Sequence, residues 1–263
     1  MNIAININEA YLQYAMVMLK SLFCNNSKER VTVHLLNASM GKEAQNTLRE
    51  FVEKHGGYLQ VYDVDLSLFE DFPDVGRWAL ETYFRLLLPE YLPENMERVL
   101  YLDADIIVNG SLTELYQMDF RGHSMVVCPN TDGTVDEKEK NLGWSREENI
   151  TYFNAGVMLL NLKKMRKQCD FKTYASIAKR MPDKIPLLDQ DLLNYVYGKD
   201  VEYVSSEVYN YIIFSDREVK RDGVVIYHFG TKEKPWHKEC DDAYHEIWWQ
   251  YNREIQDKKN RKR

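Results

Sequence analysis

Residues Arg98 to Val108 read RVLYLDADIIV. The run Val99 to Leu102 is continuously apolar, the pattern of a strand buried on both faces, and it stops at Asp103, with Asp105 following one residue later. Two carboxylates at the carboxyl end of a buried strand lose hydration that apolar packing does not restore. They therefore point to a cation or to a crevice at the carboxyl edge of a sheet, where open α/β folds bind ligands. A loop with two solvated carboxylates is the plainer alternative, and the apolar strand in front of the pair weighs against it.

Outward from this stretch the chain alternates between strands and helices. Upstream, Asn2 to Asn8 alternates polar and apolar residues as a strand does, and Tyr11 to Cys24 carries apolar residues at helical spacing. Val31 to Leu36 reads as a strand, Gly41 to His55 as an amphipathic helix ended by Gly56-Gly57, and Tyr58 to Val64 as the next strand. After an acidic loop around Asp71 to Asp74, Glu81 to Pro89 (ETYFRLLLP) predicts a helix with Arg85 in its middle, and Pro93 breaks the chain. Downstream, Ser111 can cap a helical turn through Leu115, Ser124 to Cys128 (SMVVC) is a strand candidate, and the polar stretch Asn130 to Asn149 predicts a loop or lid. Phe153 to Leu162 (FNAGVMLLNL) is apolar with a small-residue corner at Ala155-Gly156. Helices are expected in Lys163 to Arg180 and Asp189 to Tyr197, and Val224 to Phe229 (VVIYHF) is the last strand. This alternation predicts an α/β fold with a largely parallel sheet. No internal repeat or low-complexity linker divides the chain, so one domain over residues 1–240 is expected, followed by a tail over 241–263.

The 263 residues, 44% of them hydrophobic, are enough for a large core. A formal net charge of -7 argues against nucleic-acid binding, which needs a basic face, and means that an anionic substrate must be met by local cations. Cys24, Cys128, Cys169 and Cys240 are widely spaced with no CxxC pair, which indicates neither a zinc site nor a disulfide framework and suits a reducing compartment. Met1 is followed by no basic segment, and the apolar run Leu12 to Cys24 is interrupted by Gln13, Lys20 and Ser21. Neither a signal peptide nor a membrane span is read, and a cytoplasmic location is expected.

Several residues join the carboxylate pair as candidates. Asp103 and Asp105 can give oxygen ligands to a hard divalent cation while leaving positions open for substrate phosphates, and a nitrogen ligand would tilt the choice towards manganese. His228 closes the last strand ahead of Phe229-Gly230; a structural histidine is the plain alternative. Lys234, just beyond, could bring a point charge to a phosphate or be a surface lysine. Asp189-Gln190-Asp191 opens a helix, where acidic residues are also favoured by capping and the dipole. At Phe153-Asn154-Ala155-Gly156 the backbone could approach a ligand, though a tight turn explains the glycine equally well. Arg85 inside an apolar helix needs an anionic partner, protein or ligand. No serine nucleophile elbow, P-loop or GxGxxG is present.

Taken in order, YFR (Tyr83 to Arg85), RVLYLDADIIV, YFNAGVMLLNL, LLDQDLLN and HFGTKEKPW resemble the motifs of glycosyltransferase family 8, the galactosyl- and glucosyltransferase group that includes bacterial lipopolysaccharide transferases and glycogenin. The resemblance runs from Asn2 to about Trp236. It implies a GT-A fold with a Rossmann-like central sheet, a divalent metal that is usually Mn2+ with Mg2+ as the alternative, a UDP-sugar donor carrying galactose or glucose, a glycan, glycolipid or glycoprotein acceptor, and retention of configuration. By the same resemblance, Asp103, Asp105 and His228 would hold the metal and Lys234 would contact the phosphates. Arg85, Asn154 and Asp189 would contact the donor sugar, and Gln190 would lie on its β face, so that Asp189 and Gln190 are the expected catalytic residues. Asn6, Asn8, Tyr11, Ala104, Ala155, Gly156 and Gly230 complete the expected donor site. Two departures from the family pattern stand out. The first strand–helix loop offers Asn8 where family members often have an acidic residue for the uracil, and Gly230 follows His228 by two residues, with Thr231 in the usual glycine place.

Past residue 240 the chain turns aromatic and basic, with Trp248, Trp249 and Tyr251 followed by Arg253, Lys258, Lys259, Arg261, Lys262 and Arg263. This suits peripheral contact with an anionic membrane, each basic residue adding about 1 kcal/mol, or else a solvated terminus. Two other readings compete with a transferase. Aspartyl-phosphate phosphatases also carry a DxD on an apolar strand, but near the domain start and with other residues after the second aspartate. A non-catalytic sugar-binding relative would be expected to have lost metal ligands, and all three are here.

Overall fold

The computed structural model describes residues 1–70, 72, 80–131, 135–144, 150–181, 189–214, 218–237 and 243–260. Most of the expected acidic loop at 71–74, parts of the expected lid (132–134 and 145–149), residues 186–188, Cys240 and the basic end at 261–263 lie outside the described residues.

β1 (Asn2–Asn6), α1 (Leu12–Asn25), β2 (Thr32–Asn37), α2 (Lys42–Lys54) and β3 (Tyr58–Asp63) make two successive strand–helix–strand crossovers, the connection that parallel pairing requires. β4 (Arg98–Leu102) lies parallel to β1 on its other side. β7 (Phe153–Asn161) runs antiparallel between β4 and β6 (Met125–Pro129), and β8 (Val201–Tyr203) lies parallel beside β6. The order is β3-β2-β1-β4-β7-β6-β8, a mostly parallel sheet as expected. Between β1 and β4 the connections turn from one half of the sheet to the other, and Asn6 and Asp103 stand at that opening.

Alternate residues of each strand face opposite layers. Ile3, Ile5, Leu100 and Leu102 pack with Leu19 and Leu22 of α1 on one side. Ala4, Val99 and Tyr101 pack on the other with Phe84, with Leu88 of α3 (Leu88–Tyr91), Tyr174 of α7 (Phe171–Arg180) and Leu192 of α8 (Asp189–Tyr197). Both faces are covered, which is why Val99 to Leu102 is apolar without alternation.

The structure departs from the sequence reading in four places. The chain does not run straight through RVLYLDADIIV: β5 (Ile106–Val108) pairs antiparallel with β10 (Ile226–His228), which pairs in parallel with β9 (Tyr211–Ile212), making a second, small sheet. Apolar residues on both sides of the carboxylates hid the turn that separates the two sheets. The helix expected over Glu81 to Pro89 is a 3-10 helix, Leu80–Leu87, that gives way to α3. Pro89 has no N–H to donate to Arg85, so an α-helical ladder cannot pass that point, whereas in the first turn of α3 the loss costs nothing. The polar stretch after Asn130 contains α5 (Val135–Asn141), docked on the residue before β7 by Lys138 over the Tyr152 ring and by the Tyr152 N–H donating to Glu139 at 3.0 Å. The segment expected as a tail forms α10 (Ala243–Asn260) on the flank of α1. Tyr244 and Trp248 are buried there, Gln13 donates to Asn252 at 2.7 Å, and Lys20 meets Glu254 at 3.1 Å. These rings belong to the fold and are not presented to a lipid surface. No helix among the described residues is long and apolar enough to cross a membrane.

The ladder between β6 and β7 is broken at one point. Val127 pairs with Met158 but Cys128 pairs with Asn154, so residues 155–157 have no partner on β6. A bulge of this kind releases backbone groups from the ladder and re-aims them.

Candidate active site

Asp103 and Asp105 occupy the turn between β4 and β5, and antiparallel pairing sets His228 opposite Ile106. Backbone hydrogen bonds pin the turn: the Asp103 N–H donates to Gly156 O and the Phe229 N–H donates to Asp105 O, both at 2.9 Å. One oxygen from each carboxylate and one ring nitrogen of His228 lie within 4.8 Å of one another. His228 Nε2 is 3.3 Å from Asp105 Oδ1 and 3.9 Å from Asp103 Oδ2. Two hard oxygens and an imidazole nitrogen make a donor set that fits a divalent cation. The released backbone of β7 forms the floor. A Cβ at Gly156 would stand 2.4 Å from His228 Cε1 and 2.9 Å from Asp103 Oδ2, so these two side chains meet the backbone at a position where only hydrogen fits.

The site is balanced by two cations. Lys234 Nζ donates to Asp105 Oδ2 at 2.7 Å and also to Phe229 O. Burial works against the charge on Asp105, but Lys234 and then His228 outweigh it and hold this carboxyl well below the usual carboxylate range. Arg85, from the 3-10 helix, is 2.8 Å from Asp189, 3.2 Å from Asp103, and donates to Ala155 O at 2.7 Å. Its guanidinium also lies over the Tyr101 ring, 4.6 Å from the centroid, while the Tyr101 hydroxyl donates to Asp103 at 2.7 Å. Arg85 therefore ties β4, β7 and α8 together. Burial pushes the Asp189 carboxyl up, to about 7, with Arg85 pulling it down and Asp103 adding to the rise.

Gln190 is held at both ends of its amide. The Ala155 N–H donates to Gln190 Oε1 at 2.9 Å, and Gln190 Nε2 donates to the Tyr152 hydroxyl at 3.2 Å. That hydroxyl in turn donates to buried Asp191 at 2.6 Å. Asn154 Oδ1 accepts from the Gly156 N–H and from Asn210 Nδ2, both at 2.9 Å. Asn210 Oδ1 lies 2.8 Å from His228 Nδ1. The structure thus gathers Arg85, Asp103, Asp105, Asn154, Ala155, Gly156, Asp189, Gln190, His228 and Lys234. Ala104 is the buried residue between the carboxylates, and Gly230 is exposed beside the His228 ring. Asn8 caps the turn after β1 by accepting from the Tyr11 N–H at 3.3 Å. Tyr11 is 41% exposed, and the charges of Asp105, Lys234 and Asp103 act on its hydroxyl. Asn6, with its amide turned to satisfy both ends, accepts from the Arg85 N–H at 2.6 Å. Sequence reasoning missed Tyr101, Tyr152 and Asn210, whose partners lie on other elements and leave no local pattern; Asp191 was visible only as part of the DQD run.

The profile of Glycosyl transferase family 8 matches residues 2–240. The chain belongs to glycosyltransferase family 8. The lipopolysaccharide 1,2-glucosyltransferase of Escherichia coli is 30% identical, over 90% of this chain and 73% of that protein. The lipopolysaccharide 1,3-galactosyltransferase of Salmonella typhimurium is 26% identical, again over 90% of this chain and 73% of its own. Among solved structures, the galactosyltransferase LgtC in complex with donor and acceptor sugar analogs superposes with a TM-score of 0.82 at 26% identity, covering 96% of this chain and 95% of that one. The fold is accordingly GT-A, and the family 8 chemistry is hexosyl transfer from a nucleotide-sugar donor to a carbohydrate acceptor. Family 8 membership displaces the aspartyl-phosphate phosphatase reading. α10 lies beyond the matched residues and still packs on the matched domain.

Proposed function

We propose that this family 8 enzyme transfers galactose or glucose from a UDP-sugar to a glycoconjugate hydroxyl, with retention of configuration, and that Asp103, Asp105 and His228 hold Mn2+, Mg2+ being the alternative. The observation that carries the reading is the convergence of these three groups within 4.8 Å of one another, with His228 and Asp103 set against the bare backbone of Gly156, at the opening between β1 and β4. A divalent cation bound there supplies positive charge against the negative charge that builds on the departing diphosphate, stabilising the transition state more than the ground state.

The chain's own residues supply the rest. Lys234 is free to exchange its contact with Asp105 for a phosphate oxygen. Arg85 fixes Asp103 and Asp189 relative to each other, so that the sugar meets preset groups. Gln190 acts as a held dipole beside the anomeric carbon, because an amide is a poor nucleophile and its oxygen is already engaged by Ala155. The acceptor hydroxyl oxygen bonds to the anomeric carbon on the face from which the diphosphate leaves, and its proton passes to the departing phosphate oxygen. A hollow lined by Thr131, Ser206, Glu207, Tyr211, Ile212 and Glu218 offers hydroxyl and carboxylate partners to a sugar acceptor. For the C-terminal segment, contact with anionic lipid would fall to the basic residues at its end, since the rings are packed.

The test is release of UDP from UDP-glucose and UDP-galactose with and without Mn2+. Chelation by EDTA should abolish release and added Mn2+ restore it. Asp105→Asn should lower turnover at least 100-fold with an unchanged circular dichroism spectrum. Full activity of that variant, or a preference for a GDP or TDP sugar, would sink the proposal.

A further inference from the structure

A chain of hydrogen bonds, each determined by the one before, leads from the main chain to the candidate metal ligand. A backbone N–H can only donate. The atom of Asn154 that faces the Gly156 N–H at 2.9 Å is therefore its oxygen. The same oxygen faces one terminal atom of Asn210 at 2.9 Å, so that atom must be the donor, Nδ2. The other terminal atom of Asn210 is then Oδ1, and it faces His228 Nδ1 at 2.8 Å. An amide oxygen only accepts, so Nδ1 must carry a proton. In the neutral ring the lone pair is left on Nε2, the nitrogen that points at Asp103 and Asp105.

We propose that Asn210 is a positioning residue of the metal centre: it holds His228 in the Nδ1–H tautomer and so presents Nε2 as the ligand atom. The residue suits the task. Asn210 is 1% exposed and His228 3%, so water does not compete for either bond. The main chain of Asn210 is fixed by its N–H donating to Ser206 O at 3.1 Å, at the end of α9 (Ser206–Tyr209), and the next residue enters β9 beside β10. Metal-binding histidines elsewhere are oriented by a partner on the second nitrogen, and losing that partner weakens metal binding about 10- to 100-fold. Here the partner is an amide whose own orientation is dictated by the backbone at Gly156. The bulge in β7 thus serves the centre twice, as its floor and as the anchor of this chain of hydrogen bonds.

The role of Asn210 rests on the metal centre proposed for Asp103, Asp105 and His228, and two measurements separate the two. Long-range 1H–15N correlation spectra of the metal-free wild-type protein report which His228 nitrogens bear protons; Nδ1–H is expected, alone or together with an Nε2–H facing the carboxylates, and an Nδ1 without a proton overturns the proposal whether or not any variant folds. Mn2+ binding, followed by electron paramagnetic resonance of the free ion with and without UDP, should weaken about 10- to 100-fold in Asn210→Leu. A merely structural role for Asn210 would leave the tautomer unchanged in Asn210→Leu. Wild-type affinity in a folded Asn210→Leu protein overturns the positioning role. Wild-type protein that takes up no Mn2+ while showing Nδ1–H overturns the metal centre itself, and the role of Asn210 with it.

Discussion

At the scale of single residues, the site is built by side chains that need one another and by one position that must have none. Gly156 illustrates the second case. A methyl group there would enter the space of the His228 ring and of Asp103, and both side chains are held in place, Asp103 by the Tyr101 hydroxyl and Arg85 and His228 by Asn210. Gly156→Ala should therefore cost about 1–3 kcal/mol in urea unfolding and weaken Mn2+ binding by more than tenfold. Wild-type binding in that variant would mean that the β7 backbone yields. The three groups proposed as ligands were legible in the sequence as candidates, being carboxylates after an apolar run and a histidine ending another. Tyr101, Tyr152 and Asn210 were not, because an aromatic hydroxyl or an amide carries no signal until its partner on another element is known.

At the scale of elements, period and punctuation were enough for the strands and helices of the first half, where each crossover repeats the same rule. What escaped them was pairing. Nothing local distinguishes an apolar residue that continues a strand from one that starts a new sheet, so Ile106 to Val108 read as an extension of β4. The aromatic C-terminal segment escaped for a related reason, since its rings look unpartnered until α1 is beside them. With α10 in place, the segment bearing Lys234 is braced: Trp236 stacks on Tyr14 at 4.0 Å, the Tyr244 hydroxyl donates to Glu233 O at 2.7 Å, and Trp249 Nε1 donates to Pro235 O at 2.9 Å. Trp249→Phe keeps the ring and removes the last of these bonds. The KM for the UDP-sugar should rise about fivefold, the worth of one hydrogen bond, while the melting temperature stays within a few degrees of wild type. Unchanged KM would show that α10 does not support the lysine.

At the scale of the whole molecule, the fold sets how stability answers to pH. His34 on β2 lies 3.1 Å from Asn2 on β1 and 3.0 Å from Tyr62 on β3, so it bridges three strands. Burial lowers its pKa from 6.5 to about 4. The buried ring is favoured neutral, so its contribution is complete above pH 6.5 and is lost as the pH falls towards 4, at most about 3 kcal/mol. Thermal unfolding of the wild type should weaken over this window, and His34→Gln, though less stable at pH 7, should show a shallower fall. Parallel slopes for the two proteins would assign the acid sensitivity to other groups. Charge on the largest scale leads back to one contact. The molecule carries a net charge of -7 and the proposed donor is an anion, while the Lys234 ammonium pairs with Asp105 at 2.7 Å. On the proposed reading, metal uptake is an ion exchange, in which the incoming cation would displace an ammonium and the nucleotide would give that ammonium a new counterion. Metal and nucleotide should then bind with mutual reinforcement, and Lys234→Met should tighten Mn2+ binding without UDP while shrinking the gain that UDP brings, as calorimetric titration can measure.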